Sequence, residues 1–273
     1  MTEGELYGEK NLTHLSWSIS RTLSGTAGSF LKSYELMENV KYYYKVSNFD
    51  TVRGVYGHES VNEIVAQNVA NILNIPHLCY ELVYADIQVN GRIYETWLTK
   101  SRDFKKLGEH KLTFETYYEM AGLEQESVWD FIVRQGMNEY FYELFLLDYV
   151  ICNRDRHGAN IEVLEQAGHY RLAPVFDNGL SLLFSCYQDG EAMRQADLMK
   201  DGPVNNYVGS KSLTENLRQV PLQRLRKVRT ADFTFEKVFA GLQGCEEAVL
   251  DLYWERILAM LRERVGYIET ICD

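Results

Sequence analysis

The stretch that decides the fold is CNRDRHGAN, residues 152–160, which follows the long apolar run MNEYFYELFLLDYVI at 137–151. A second polar cluster lies in LAPVFDNG at 172–179, where Asp177 precedes an Asn-Gly pair that favours a tight turn. The pattern between the two clusters predicts two short strands. A hairpin of those strands would bring Asp155, Asn160 and Asp177 to one end of a small sheet.

These residue types suit one kind of chemistry. An aspartate can orient a hydroxyl group and accept its proton, while an asparagine and a second aspartate supply the hard oxygen ligands that Mg²⁺ prefers. Together they are typical of a phosphoryl-transfer site. A solvated loop between a helix and a strand is the simpler interpretation of the first cluster. A third interpretation makes His157 and the two aspartates the ligands of a metal-dependent hydrolase.

The strings NRDRHGAN and LAPVFDNG resemble the catalytic and metal-binding segments of HipA-like serine/threonine kinases. The string D-R-H-x-x-N is also shared with phosphoinositide 3/4-kinases, and both groups have a protein-kinase-like fold. The resemblance implies ATP and Mg²⁺ as cofactors, with Asp155 as the catalytic aspartate and Asn160 and Asp177 as metal ligands. It places His157 beside the transferred phosphate, where it stabilises charge or supports the loop.

A kinase also needs a loop of small residues over the phosphates. SGTAGS at 24–29 lies between two predicted strands, so its backbone N–H groups could face a phosphate. The loop does not match G-x-G-x-x-G and resembles only loosely the short loop of HipA-like proteins. The predicted nucleotide contacts in it are Ser24, Gly25, Thr26 and Gly28.

The strand VKYYYKVSNFD at 40–50 carries two candidates for the lysine that contacts the nucleotide phosphates. A lysine in an apolar strand costs free energy unless it is paired. Lys41 and Lys45 are four residues apart and share one face of the strand, so alternation does not separate them. The string YKVS resembles the corresponding strand of the family, which favours Lys45, and Lys41 stays the alternative.

Residues 58–74 predict an amphipathic helix, in which Glu59 and Glu63 share a face away from the apolar stripe. That face is either exposed to solvent or turned toward the nucleotide, where a glutamate would pair with the strand lysine. The pair Asn62-Glu63 resembles the helix of the family, which favours Glu63 over Glu59.

A predicted hairpin follows at 78–101, with VNGR as its turn, since Asn-Gly is a strong hairpin signal. In a kinase-like fold, the strand that leaves this hairpin offers backbone groups to adenine. We therefore expect contacts to the nucleotide from Thr99, Lys100 and Ser101, with Arg102 at the end of the same stretch.

The order of elements predicts an α+β protein: strands with one helix first, then mostly helices. With 273 residues the chain can form two lobes, which we expect at residues 1–104 and 105–273. The net charge of −11 argues against nucleic acid or a membrane surface as a main partner. Five scattered cysteines and the lack of an apolar leader or membrane span favour the cytoplasm.

The sequence thus predicts an ATP- and Mg²⁺-dependent kinase with a bilobal protein-kinase-like fold, acting on a serine or threonine of a protein. A kinase of small molecules or lipids is one alternative, and a nucleotide-binding pseudokinase without activity is another. Residues 200–220 form either a substrate-recognition segment or a plain connecting loop. No regulatory partner follows from the sequence.

Overall fold

The computed structural model describes residues 10–21, 29–187, 189–242, 244–245 and 251–272. A seven-stranded sheet occupies the N-terminal part of the chain. Its strands are β1 (Lys10–Asn11), β2 (Ser18–Arg21), β3 (Ser29–Met37), β4 (Val40–Asp50), β5 (Gly54–Val55), β6 (Tyr80–Val89) and β7 (Arg92–Arg102). The spatial order is β1-β6-β7-β4-β3-β2, with β5 paired to β4. Strands β4 and β7 are therefore interior strands, flanked by neighbours on both sides.

Strand β4 matches the predicted segment, and its alternation separates two environments. Tyr44 and Val46 are buried in a core on one face of the sheet, while Lys45 points to the other face. The predicted hairpin also forms: Val89 pairs with Arg92 across a turn in which Asn90 and Gly91 have φ of 51° and 79°. Both values match the turn type that Asn-Gly favours.

Helices dominate the rest of the described chain. They are α1 (Glu59–Ile72), α2 (Phe114–Ala121), α3 (Val128–Arg134), α4 (Asn138–Val150), α5 (Gly190–Gln195), α6 (Leu213–Leu217), α7 (Leu222–Leu225), α8 (Phe235–Val238) and α9 (Asp251–Cys272). Helices α2 and α3 begin at Thr113 and Ser127, whose hydroxyl groups accept hydrogen bonds from backbone N–H groups of the first turn. The short helices α5 and α7 were not predicted from the sequence.

Among the described residues of the N-terminal sheet region α1 is the one helix, and hydrogen bonds hold it to the C-terminal part of the chain. The Asn62 side-chain amide donates to the carbonyl of Gly179 at 2.9 Å, and its oxygen accepts from the hydroxyl of Tyr253 on α9. Asn68 donates to the carbonyls of Val238 at 3.0 Å and of residue 240 at 2.9 Å. Almost all of α1 is buried as a result, including polar side chains.

Two small sheets lie beside the helices. One contains β8 (His110–Thr113), β10 (Glu162–Gln166) and β11 (His169–Leu172), and the other contains β9 (Asp155–Arg156) and β12 (Asn205–Asn206). In the β10–β11 hairpin the backbone N–H of Ala173 donates to the carbonyl of Glu162 at 2.9 Å. The start of β10 and the end of β11 are therefore adjacent, and the two polar clusters of the sequence flank that one end.

The predicted α+β class is confirmed by this arrangement. The division into lobes at residues 104 and 105 stays a prediction. In the part of the chain that the structure describes, no helix combines the length and the apolar character needed to cross a membrane.

Candidate active site

Lys45 lies at the centre of an ion-pair network. Its Nζ is 3.4 Å from Glu63 Oε1, and it also pairs with Asp177 Oδ1. The Lys45 side chain is only 16% exposed. The alternative lysine, Lys41, lies elsewhere on the sheet, with its Nζ 4.0 Å from the ring centroid of Tyr34. Lys45, and not Lys41, therefore joins strand β4, helix α1 and the segment after β11.

Both candidate glutamates of α1 are buried, at 1% exposure for Glu63 and 2% for Glu59, so neither faces solvent. Glu63 accepts a hydrogen bond from the backbone N–H of Asn178 at 2.9 Å in addition to its contact with Lys45. Glu59 instead accepts from the side-chain amide and from the backbone N–H of Asn48. Glu59 thus braces α1 against β4, while Glu63 meets the lysine.

The charges in this network shift its pKa values in different directions. Burial alone would lower the pKa of Lys45, but Asp177 and Glu63 raise it above its ordinary value. Burial raises the pKa of Glu63, and the charge of Lys45 only partly offsets this. For Asp177 the positive charges of Lys45 and Lys32 outweigh burial and hold the pKa well below its ordinary range. Lys45 and Asp177 are therefore both charged near neutral pH.

The loop 152–160 is held in shape by its own polar groups. The backbone N–H of Asp155 donates to Asn153 Oδ1 at 3.1 Å, and Asp155 Oδ1 accepts from the side-chain amide of Asn205 at 2.9 Å. The Asn160 side chain donates to the Asp155 carbonyl at 3.1 Å, and its backbone N–H donates to the carbonyl of His157 at 2.9 Å. The half-buried carboxylate of Asp155 is thus oriented and still accessible.

Arg156 links this loop to the second polar cluster. Its guanidinium is fully buried and donates to both carboxylate oxygens of Asp148 on α4, at 3.2 and 2.7 Å. It also donates to the carbonyl of Phe176 at 2.9 Å and to Asn178 Oδ1 at 2.6 Å. The residues on either side of Asp177 are therefore anchored to the residue that follows Asp155.

Asp177 occupies a special backbone conformation, with φ of 60° in the left-handed region. Its backbone N–H donates to the hydroxyl oxygen of Tyr80 at 3.3 Å. Burial, reinforced by nearby carboxylates, raises the pKa of Tyr80 well above its ordinary value, so the phenol is neutral. A Cβ on Gly179 would lie 3.0 Å from Glu59 Cβ, so this turn packs directly on α1.

A cavity of about 190 Å³ opens beside Lys45 and Asp177. Thr99 and Ser101 contribute to its lining, and so does Lys32, which was not predicted as a site residue. Lys32 is accessible to solvent, yet partial desolvation and the neighbouring Lys45 lower its pKa. Three lysines, Lys32, Lys45 and Lys111, therefore line one cavity, which is an environment suited to anionic oxygens.

The expected backbone contacts of Thr99, Lys100 and Ser101 need a correction. Strand β7 lies between β4 and β6, and its register with both neighbours runs through these three residues. Their peptide N–H and C=O groups are hydrogen-bonded to the neighbouring strands and are not free for adenine. The Lys100 side chain also leaves the cavity, since its Nζ donates to Glu81 Oε2 at 3.1 Å.

The stretch ends at Arg102, one residue beyond the last residue pair between β6 and β7. Strand β6 begins at Tyr80, opposite Ser101, so Arg102 has a partner only on β4. The backbone N–H of Asp103 donates to the Lys41 carbonyl at 2.9 Å. Because peptide groups alternate along a strand, those of Arg102 face the side where β6 has ended, and Arg102 lines the cavity.

The two predicted metal ligands offer suitable atoms. The Asn160 side-chain nitrogen donates a hydrogen bond to the Asp155 carbonyl, so the side-chain oxygen of Asn160 stays available. Asp177 uses Oδ1 for Lys45, and within the described residues no donor reaches Oδ2. Two hard oxygens of this kind fit Mg²⁺. Among the described residues no group of three or more His, Cys, Asp or Glu side chains is placed to hold a metal ion.

The predicted phosphate loop lies outside the described residues. The structure describes the strands on either side of it, β2 and β3, which pair antiparallel with Arg21 opposite Ser29. The contacts expected of Ser24, Gly25, Thr26 and Gly28 stay predictions.

Sequence reasoning missed several residues that the structure brings to the site. The sequence analysis assigns no role to Arg156, although an aspartate within the apolar run, Asp148, is a signal that a buried cation must accompany it. Lys32 and Tyr80 reach the cavity only through sheet pairing, and Asn205 reaches Asp155 across 50 residues of chain. Local sequence patterns do not predict contacts between residues that lie so far apart in the chain.

The fold is that of HipA-like kinases. No protein-family model matches the chain, and no curated protein matches its sequence. Among solved structures, the proinflammatory kinase CtkA of Helicobacter pylori superposes with a TM-score of 0.63 over 97% of both chains at 17% identity. A chain of the Shewanella oneidensis MR-1 HipA–HipB toxin–antitoxin complex with operator DNA gives a TM-score of 0.54 at 12% identity, covering 93% of this chain and 68% of that one. The resemblance expected from the sequence motifs is confirmed at the level of fold.

Proposed function

We propose that the chain is an ATP- and Mg²⁺-dependent phosphotransferase that acts on a serine or threonine hydroxyl of a protein. The observation that carries the proposal is the network in which Lys45, Glu63 and Asp177 meet beside the cavity. Three distant parts of the chain converge there, and each brings the residue type that a kinase requires. The shared fold with known kinases supports the same proposal.

In this proposal Lys45 holds the phosphates of the nucleotide by its charge, and Glu63 fixes the position of Lys45. The charged state of Lys45 is secured by its carboxylate neighbours. Lys32 adds a further positive charge at the same cavity. The peptide groups of Arg102 are our candidates for contacts to adenine, in place of those of residues 99–101.

Asn160 and Asp177 would hold Mg²⁺ through their available oxygens. When bound, the ion would neutralise charge on the phosphate oxygens. Asp177 is prepared for a cation, because its carboxylate is already ionised beside Lys45.

Asp155 orients the acceptor hydroxyl and takes its proton as the new oxygen–phosphorus bond forms and ADP leaves. Asn205 keeps one oxygen of Asp155 occupied, so the other oxygen is the base. His157 is proposed to stabilise charge on the transferred group or to support the loop. The scattered cysteines favour the cytoplasm as the setting of this activity.

The test is incubation of the pure protein with γ-labelled ATP and Mg²⁺, alone and with protein extract, beside Asp155→Ala and Asp177→Ala. Exposed Asp251→Ala serves as the matched control. We expect label on protein with the wild type and the control and none with the two site variants.

Other outcomes separate the alternatives. ATP turnover without labelled protein would indicate a small-molecule or lipid acceptor. Binding of nucleotide without turnover would indicate a pseudokinase. A protein that binds no nucleotide in a calorimetric titration would refute the proposal.

A further inference from the structure

A second cavity, of about 490 Å³, opens beside the loop that carries Asp155. Asp155 itself lines it, together with Leu180 and Phe184 from the segment that follows Asp177. Another wall comes from the segment 203–211, including Val204 and Lys211. The cavity is therefore bordered by the candidate base and is separate from the cavity beside Lys45.

The wall formed by residues 203–211 is attached to the loop by a strand pair. In the parallel pairing of β12 with β9, the backbone N–H of Asn205 donates to the Arg154 carbonyl at 2.8 Å. The backbone N–H of Val204 donates to the Lys211 carbonyl at 3.0 Å. Together with the bond from Asn205 to Asp155, these contacts fix the position of the 203–211 wall relative to the carboxylate. The segment is therefore a hydrogen-bonded part of the cavity wall.

The charges in the cavity are unbalanced. Arg154 and Lys211 both line it, and neither forms an ion pair with a described residue. Asp155 is the carboxylate in the lining, and one of its oxygens is already taken by Asn205. In a chain with a net charge of −11, two cations left unpaired beside one carboxylate form a local positive site.

We propose that this cavity binds the acceptor polypeptide and selects a segment with acidic side chains within a few residues of its serine or threonine. Arg154 and Lys211 pair with those carboxylates, and Leu180, Phe184 and Val204 receive an apolar neighbour. The inference rests on the proposed function, since it places the acceptor hydroxyl at Asp155. It assigns a substrate preference to that reaction.

The experiment compares two fluorescent peptides by anisotropy in the presence of MgADP. Both contain one serine and the same apolar residues, and they differ only in having Asp and Glu or Asn and Gln around the serine. We expect the wild type to bind the acidic peptide about tenfold more tightly, which corresponds to about 1.4 kcal/mol. The preference should shrink as salt is raised, because both cations are accessible to solvent.

Arg154→Gln/Lys211→Gln should reduce the preference to less than about twofold, and Arg154→Lys should keep most of it. The control is Arg92→Gln/Arg226→Gln, which removes the same charge from exposed positions away from the cavity and should keep the tenfold preference. Lys211→Gln alone is a second variant at an exposed position, for the case that the double variant does not fold.

Equal affinity of the wild type for both peptides would overturn the inference, and so would binding of neither. A preference retained by Arg154→Gln/Lys211→Gln, or by Lys211→Gln alone, would overturn it as well. Nucleotide affinity and transfer of label are measured on the same preparations. An acidic preference without phosphoryl transfer would support the peptide site and refute the proposed function. Phosphoryl transfer without the acidic preference would support the proposed function and refute the peptide site.

Discussion

The buried pair of Arg156 and Asp148 yields the sharpest prediction about stability. The side chains are 0% and 2% exposed, and the guanidinium also serves the Phe176 carbonyl and the Asn178 amide oxygen. Arg156→Met fills a similar volume but removes every one of these donors. It leaves the Asp148 carboxylate buried with a hydrogen bond from Asn153 at 3.0 Å as its remaining described partner.

The magnitude follows from the charge that is left behind. Breaking a buried ion pair by removing one partner costs about 3–5 kcal/mol. The unpaired carbonyl and amide oxygens add to this cost, since each buried acceptor without a donor is worth about 1–3 kcal/mol, although the contributions do not simply sum. We therefore expect Arg156→Met to lower the free energy of unfolding by at least about 3 kcal/mol.

The assay is urea unfolding at pH 7, followed by circular dichroism, with the wild type and three variants. Arg194→Met is the matched control, because its pair with Glu191 is exposed at 64% and 66% and should be worth about 0–1 kcal/mol. Arg156→Met/Asp148→Leu should recover part of the loss, because it removes the orphaned charge as well.

A cost for Arg156→Met no larger than that for Arg194→Met would refute this reasoning. It would mean that Asp148 finds water or another donor, so that Arg156 does not hold the two polar segments together. A double variant as unstable as the single one would show that the orphaned charge is not the cause of the loss.

Three further predictions concern the site and its packing. Lys45→Met should abolish phosphoryl transfer and weaken nucleotide binding at least tenfold in calorimetry, whereas Lys41→Met should leave both near the wild-type level. Burial raises the pKa of Glu59, so the folded protein binds that proton more tightly and loses stability as the pH rises above the ordinary pKa of 4.5. In urea titrations between pH 4 and 7, Glu59→Gln should therefore flatten the dependence of the free energy of unfolding on pH. An unchanged dependence would contradict this prediction. Gly179→Ala should cost about 1–3 kcal/mol, because its Cβ would press on Glu59. Gly266→Ala, in open space within α9, should instead stabilise by up to about 1 kcal/mol in the same thermal melts, and equal effects of the two would argue against close packing at 179.

Local patterns in the sequence were sufficient for much of the fold. The alternation in residues 40–50, the Asn90-Gly91 turn and the apolar spacing of α1 each correspond to an element of the structure. These elements depend on nearest neighbours along the chain, where turn chemistry and periodicity act directly. The roles assigned to Asp155, Asn160 and Asp177 stay predictions, although the structure brings their segments together.

What sequence reasoning could not supply depends on register and long-range pairing. Thr99 and Ser101 looked like the end of a strand, but their peptide groups are used because β6 still runs beside them. Similarly, Asn205 reaches Asp155 only through a two-residue parallel pair that no periodicity reveals. Glu59 and Glu63 were placed on a polar face correctly, yet that face is covered, because the partners that cover it lie elsewhere in the chain.

The hydrogen bonds that hold α1 have a consequence for control of the proposed activity. In a bilobal phosphotransferase, swinging this helix outward is one way to separate the glutamate from its lysine and so turn catalysis off. Here such a swing would break the hydrogen bonds of Asn62 to Gly179 and Tyr253. It would also break those of Asn68 to the carbonyls of residues 238 and 240, and it would leave buried polar groups without partners. We therefore expect a helix that is permanently engaged, with slow amide hydrogen exchange whether or not nucleotide is bound, and an activity governed by access of the acceptor.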